Sequence, residues 1–293
     1  MTRPDFIIIG AMKCATSSLH EQLACQPNFY MSNLKEPNFF SNDEEYGKGL
    51  DSYWSHFQDA QPTDLCGESS THYTKLPTYP LTIERLHSVL PDIKFIYVMR
   101  HPVKRLVSQY IHEWSQRIID VDINTAVEQY SELTDYSRYA MQLQPYFDVF
   151  GAERVLPVFF EHLFTHKQEE LERICKFLGY EDSPTWQDLD AQNVSSARMR
   201  TSAWRDALVD NPVLQTLRRN LVPKSFRTWV RELWMMKERP ELSPQQVQRL
   251  EAIFDKDLAI LGEWLGIDLS CANYQSQVSD HVLDWVNIPV IQS

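Results

Sequence analysis

A chain of 293 residues, 43% hydrophobic and 23% charged, has ordinary globular composition and enough apolar side chains for a sizeable core. Its 28 basic and 40 acidic residues leave a net charge of −12, which argues against nucleic acid or an anionic membrane as partner and requires any anionic ligand to be held by concentrated local donors. Five scattered cysteines without C-x-x-C spacing argue against a disulfide framework and a zinc site, and for a reducing compartment.

Phe6 to Ile9 is a β-branched and aromatic run of the kind that forms a strand buried on both faces, and Gly10 ends it. Thr16 and Ser17 suit the cap of a helix running to about Gln26, where Pro27 stops it. Helices are expected near Leu50 to Gln58 and from Pro80 to Leu90, the second with Leu81, Leu86, Val89 and Leu90 as its apolar stripe. Lys94 to Met99 is a second buried strand, and Pro102 suits the first turn of a helix extending to about Arg117. A helix from Asp135 to Phe150 leads to a third strand, Arg154 to Phe160, and a helix from Lys167 to Leu178 follows, ended by Gly179.

Strands alternating with helices imply right-handed β-α-β units and a mostly parallel sheet covered on both sides. From about Asn193 the pattern turns helical. It is clearest after the capping box Ser243-Pro-Gln-Gln246, where Leu250, Ile253, Phe254, Leu258, Leu261 and Leu265 recur at helical spacing. With no internal repeat or low-complexity linker, residues 1–270 read as a single domain and 271–293 as a C-terminal tail. No apolar run approaches the ~20 residues of a membrane helix, and the residues ahead of Phe6 leave no room for a signal peptide or anchor. A cytoplasmic protein is expected.

Two segments carry the chemistry. Gly10-Ala-Met-Lys13-Cys14-Ala15-Thr16-Ser17-Ser18 joins a buried strand to a helix through a turn with a lysine and hydroxyls, which is what phosphate binding needs. N–H groups of the first helical turn point at the anion and the helix dipole favours its charge. The lysine comes too early, and no second glycine precedes it, for the ATP-binding pattern G-x-x-x-x-G-K-[ST]. Arg100-His-Pro-Val-Lys104-Arg105-Leu-Val-Ser108-Gln-Tyr110 leaves the carboxyl end of the second strand, where open α/β sheets bind ligands. Arg100 and Ser108 would grip a separate phosphate there, while Lys104 and Arg105 suit a solvated helix face.

Together these segments resemble the sulfotransferases. The first is similar to their 5′-phosphosulfate loop, the second to their 3′-phosphate site. Lys35-Glu36-Pro-Asn-Phe-Phe40, Gly67-Glu-Ser-Ser-Thr-His72-Tyr73 and Phe159-Phe-Glu161-His-Leu163 resemble further family segments in the right order. The likeness spans about Asp5 to Tyr180 and is nearest to bacterial and glycan-modifying members.

It implies a three-layer, P-loop-like α/β fold with a helical C-terminal part, and a donor, 3′-phosphoadenosine 5′-phosphosulfate (PAPS), that yields the bisphosphate PAP without a metal. Lys13, Cys14, Ala15, Thr16, Ser17 and Ser18 would hold the phosphosulfate, with Lys13 at the bridging oxygen. Arg100 and Ser108 would hold the 3′-phosphate, and Arg200 would close over the nucleotide.

The acceptor, a glycan or small molecule, must lose a proton, and Glu36 stands where glycan-modifying relatives have their base. His72 is the second candidate, in roughly the place of the histidine of small-molecule relatives. Ser69 replaces a lysine that glycan-modifying members often carry, so no second catalytic lysine is expected there. Cys14, beside a lysine and a helix start, has a setting that would lower a thiol pKa, although packing explains it as well. Tyr53, Trp54, Tyr73 and Trp114 are candidates for an apolar acceptor pocket or for the core. The competing readings are an ATP-dependent kinase and an inactive nucleotide-binding regulatory protein.

Overall fold

The computed structural model describes residues 2–188 and 239–288. These fall into two compact units: residues up to 106, 132–188 and from 248 form the first, and 107–131 with 239–247 belong to the second.

The first unit is built on five parallel strands: β1 (Phe6–Gly10), β2 (Phe29–Met31), β3 (Leu65–Ser69), β4 (Lys94–Met99) and β5 (Val155–Phe159), in the order β2-β3-β1-β4-β5. β1 lies between β3 and β4 and is buried along its whole length, as its unbroken apolar run requires. β4 matches its expected bounds, and β5 is one residue shorter at each end. β2 and β3 were not legible. β3 reads Leu-Cys-Gly-Glu-Ser, with no apolar run, yet four of its five residues are buried. Its Gly67 is needed for space, because a Cβ there would lie 2.2 Å from the Phe6 ring on the neighbouring strand.

Helices of this unit are α1 (Thr16–Ala24), α2 (Asp43–Gly47), α3 (Leu50–Trp54) with a 3₁₀ turn Ser55–Phe57, and α4 (Thr82–Val89). α5 (Pro102–Ser115) runs on into the second unit, which contains α6 (Ile123–Gln129); α7 (Glu132–Asp135), α8 (Tyr139–Phe150), α9 (Phe160–Thr165) and α10 (Lys167–Leu178) return to the first. The single helix expected from Asp135 is thus broken before Tyr139. In the stretch from 239, α11 (Pro244–Leu265) begins on its capping box, with Gln246 N–H donating to Ser243 Oγ at 3.3 Å. Leu250, Phe254, Leu258, Leu261 and Leu265 of its stripe are buried, and Ile253 is half-buried.

Asp257 on α11 accepts the N–H groups of Ala140 and Met141 at 2.9 and 3.0 Å, satisfying the first turn of α8 from a distant element. The segment from 271, read as a tail, carries α12 (Tyr274–Ser279), and Trp285 Nε1 donates to the Val155 carbonyl at 2.6 Å. No helix among the described residues is long and apolar enough to cross a membrane.

Candidate active site

The carboxyl ends of β3, β1 and β4 are neighbours in the sheet, so the turns leaving Ser69, Gly10 and Met99 meet along one edge. This is how residues far apart in sequence come together. Gly10 allows the close approach, since a Cβ on it would lie 2.1 Å from Thr74 Oγ1 and 2.9 Å from the Tyr97 ring.

The turn after β1 is shaped by left-handed backbone at Lys13 (φ 70) and Ala15 (φ 65). Such alternation curls successive N–H groups into a concavity. The capping position is Ala15, whose methyl group cannot accept a hydrogen bond, rather than Thr16 or Ser17. In consequence the N–H groups of Met12, Lys13, Ala15, Thr16, Ser17 and Ser18 donate to no described residue. Cys14 differs: its N–H goes to the Ala11 carbonyl at 3.2 Å. Its thiol is buried, and burial pushes it up to about 12 in spite of Arg105 and Arg100, the opposite of the activated thiol its sequence position allowed.

Two arginines brace this turn. Arg100 Nη1 lies 3.5 Å from the Lys13 carbonyl, and Arg105 Nη1 lies 3.5 Å from that of Met12. Arg105 is fully buried, with Nε on Ser137 Oγ at 2.5 Å and Nη2 on the Leu133 carbonyl at 3.0 Å, so the expected solvated face is instead an internal strut. Lys104 is exposed, as expected. Arg100 lies over the Phe160 ring at 4.5 Å, and its buried Nε has no hydrogen-bond partner among the described residues. A half-buried arginine whose buried Nε is an unspent donor, beside a turn of unspent N–H groups, fits a phosphate-bearing ligand.

Lys13 is half-buried, and burial lowers its pKa; Lys35 and Arg100 add to the effect while Glu36 opposes it. Lys13, Lys35, Arg100 and Glu36 are therefore electrostatic neighbours. Lys35 also donates to Ser17 Oγ. It supplies a second cation beside the turn that sequence reasoning quoted only as part of a segment. Glu36 is anchored by its N–H on the Ser69 carbonyl at 3.0 Å, and its Oε1 lies 3.4 Å from Thr71 Oγ1. His72 stacks on Tyr79 with 4.8 Å between ring centroids, and its charged neighbour is Lys75. Burial pulls its pKa down to about 4. Ser108 is half-buried on α5 in the second unit, and Arg200 lies outside the described residues.

Ser69, the residue at the position where no second lysine was expected, pairs its Oγ with His20 Nδ1 at 2.9 Å. Tyr53 and Tyr73 are core residues rather than pocket walls, in contact with Phe40 and bonded through their hydroxyls to Glu68. Glu68 was not singled out from sequence, because nothing in a Gly-Glu-Ser-Ser run signals burial. Burial pushes its pKa up to about 7, the hydroxyls of Tyr53, Ser70 and Tyr73 hold it down, and the charge of Glu36 raises it further. Folding therefore favours the neutral carboxyl. The stability so gained is complete below the ordinary 4.5 and is lost as pH rises through about 7. Thermal unfolding followed across that window should show this decline in the wild type and not in Glu68→Gln; parallel profiles would count against it.

A model of the sulfotransferase family matches residues 43–184. Mouse heparan sulfate glucosamine 3-O-sulfotransferase 3B1 is 34% identical over 188 residues, covering 60% of this chain and 46% of its own. Human heparan sulfate glucosamine 3-O-sulfotransferase 5 is 29% identical over 188 residues, covering 60% and 53%. The match to the sulfotransferase family model takes in nearly half of the chain. The chain spans about half the length of the curated relatives it matches.

The fold agrees with the crystal structure of a sulfotransferase from Alicyclobacillus acidocaldarius, with a TM-score of 0.65 at 24% identity over 92% of this chain and 98% of that one. A mouse sulfotransferase complexed with PAP gives a TM-score of 0.50 at 12% identity, covering 95% and 90%. The P-loop-like α/β architecture with a parallel sheet is thus the observed one.

Proposed function

We propose that this chain transfers the sulfonate group of PAPS to a hydroxyl of a carbohydrate acceptor, with PAP as product. The observation that carries the reading is the turn from Met12 to Ser18, where unspent N–H groups and Lys13 lie beside Arg100 and a carboxylate, Glu36, stands within electrostatic range.

When bound, the donor supplies an activated sulfonate on a phosphate leaving group. Lys13 and the turn's N–H groups stabilise the charge that grows on that phosphate, and they do so without reorganising. Arg100 holds the 3′-phosphate and fixes the register of the reacting atoms. Glu36 takes the acceptor's proton. His72 is the second choice, since a base whose pKa is near 4 has little drive to accept a hydroxyl proton. A sulfonate carries less charge than a terminal phosphoryl group, so these cations would suffice without a metal.

The relatives named for heparan sulfate favour a glycan, whereas the net charge of −12 favours one that is neutral or weakly charged. Neither of these features favours the kinase reading. All five cysteines are free, which supports a reducing, cytoplasmic setting; fractionation of the native cell tests that.

Binding of PAP against ATP, with and without Mg²⁺, tests the donor. Labelled PAPS offered with heparan sulfate and with neutral oligosaccharides tests the acceptor. Tight binding of ATP with Mg²⁺ and none of PAP would end the sulfotransferase reading. Arg100→Ala is expected to raise the PAPS KM about 10- to 100-fold, the loss of one or two charge-assisted hydrogen bonds, with a smaller change in kcat. Steady-state kinetics over a range of PAPS concentrations checks this.

A further inference from the structure

Glu68, the last residue but one of β3, has no exposed surface, and the reaction proposed above makes no use of it. Its Oε1 accepts the hydroxyls of Tyr53 and Tyr73 at 2.8 and 3.0 Å, and its Oε2 that of Ser70 at 2.8 Å. Two of these hydroxyls accept in turn. Ser70 Oγ takes the N–H of Asn38 at 3.1 Å, and Tyr73 Oη takes that of Phe40 at 3.4 Å. A hydroxyl has one proton, so spending it on the carboxylate leaves its lone pairs for the incoming N–H. By accepting these hydroxyl protons, the Glu68 oxygens set the direction of both relays.

Asn38 and Phe40 lie in the same segment as Glu36, which β3 also grips through the Ser69 carbonyl. That segment has left-handed backbone at Glu36 (φ 55) and Asn38 (φ 51). Glutamate seldom adopts this conformation, so contacts from outside must hold it.

We infer that Glu68 is a positioning residue for the transfer reaction: it orients the Ser70 and Tyr73 hydroxyls, which clamp the amides of Asn38 and Phe40 and so hold Glu36 beside Lys13. The inference rests on the reading of Glu36 as the base. No bond forms or breaks at Glu68; its contribution is geometric.

The test compares Glu36→Gln, Glu68→Gln, Ser70→Ala and the Glu36→Gln/Glu68→Gln double variant with the wild type. Three quantities are measured: kcat for labelled sulfonate transfer from PAPS to heparan sulfate, the Kd of PAP, and amide hydrogen exchange over residues 35–40. Glu68→Gln and Ser70→Ala should each lower kcat about tenfold or more, since small displacements of a catalytic group carry penalties of that size. PAP affinity should stay within about twofold, while exchange at Asn38 and Phe40 accelerates. Glu68→Gln should cost little further in the Glu36→Gln background.

If Glu68→Gln does not fold, Ser70→Ala, which leaves both tyrosine bonds to Glu68 in place, decides the matter together with the acceptor-independent exchange measurement. Impairment of Glu36→Gln with unchanged kcat and exchange in the other single variants overturns the inference alone. An unchanged Glu36→Gln removes the base reading and the inference with it. Losses of kcat and PAP affinity together, additive with Glu36→Gln, would reduce Glu68 to a general stabiliser and overturn the proposal.

Discussion

Replacing Lys13 with Ala is expected to lower kcat by about 10²- to 10³-fold, the cost typical of removing one preorganised donor from a developing charge. The lysine is half-buried on a left-handed turn, so its position is set by the backbone rather than by a flexible stem in water. A site partly withdrawn from solvent makes each charge act more strongly than it would at the surface. The turn's unspent N–H groups and Arg100 remain in the variant, so affinity for PAP should fall much less than turnover. Calorimetric titration of PAP beside steady-state rates separates the two quantities. Equal losses in both would mean that Lys13 merely binds the donor and does nothing special in the transition state. Lys35, which donates to Ser17 at the same turn, is the residue to examine next in that event.

The second large effect is expected at Glu36. Glu36→Gln keeps the size of the side chain and the anchoring of its backbone, but removes the group that accepts the proton; kcat should fall by about 10²- to 10⁴-fold. The PAPS KM should change little, because Glu36 opposes rather than adds to the cationic surroundings of Lys13. His72→Asn in parallel should have a small effect, given a ring that stacks on Tyr79 and a pKa pulled down to about 4 by burial. The reverse ranking, with His72→Asn crippled and Glu36→Gln active, would exchange the two assignments.

Much of the frame could be read before any coordinates. β1, β4, β5 and α10 declare themselves because a strand buried on both faces must be apolar throughout, and an amphipathic helix must repeat its apolar positions at its own period. That Lys13 and Arg100 each follow a buried strand was also legible, since the end of each strand is marked by a break in the apolar run. β3 was not, because its burial comes from its neighbours: Gly67 yields to Phe6, and Glu68 is satisfied by hydroxyls from three other positions. Arg105 misled for the same reason, its charge suggesting water while Ser137 and Leu133 provide the bonds that allow it inside.

The amino-acid sequence by itself determined the parallel α/β scaffold, the turn between β1 and α1 and the identity of the groups that would carry charge, because these follow from local periodicity and from residue chemistry at strand ends. Only the tertiary structure decided which of those groups share a space. The strand order puts the ends of β3, β1 and β4 side by side, and that adjacency joins Glu36 and Lys35 to Lys13 and Arg100 while His72 faces Tyr79. Hydrogen bonding to side chains distant along the chain turned Glu68 from an ordinary polar residue into a buried hub. Such partners leave no periodic trace in the sequence, since each is fixed by how the sheet is assembled and not by its neighbours along the backbone.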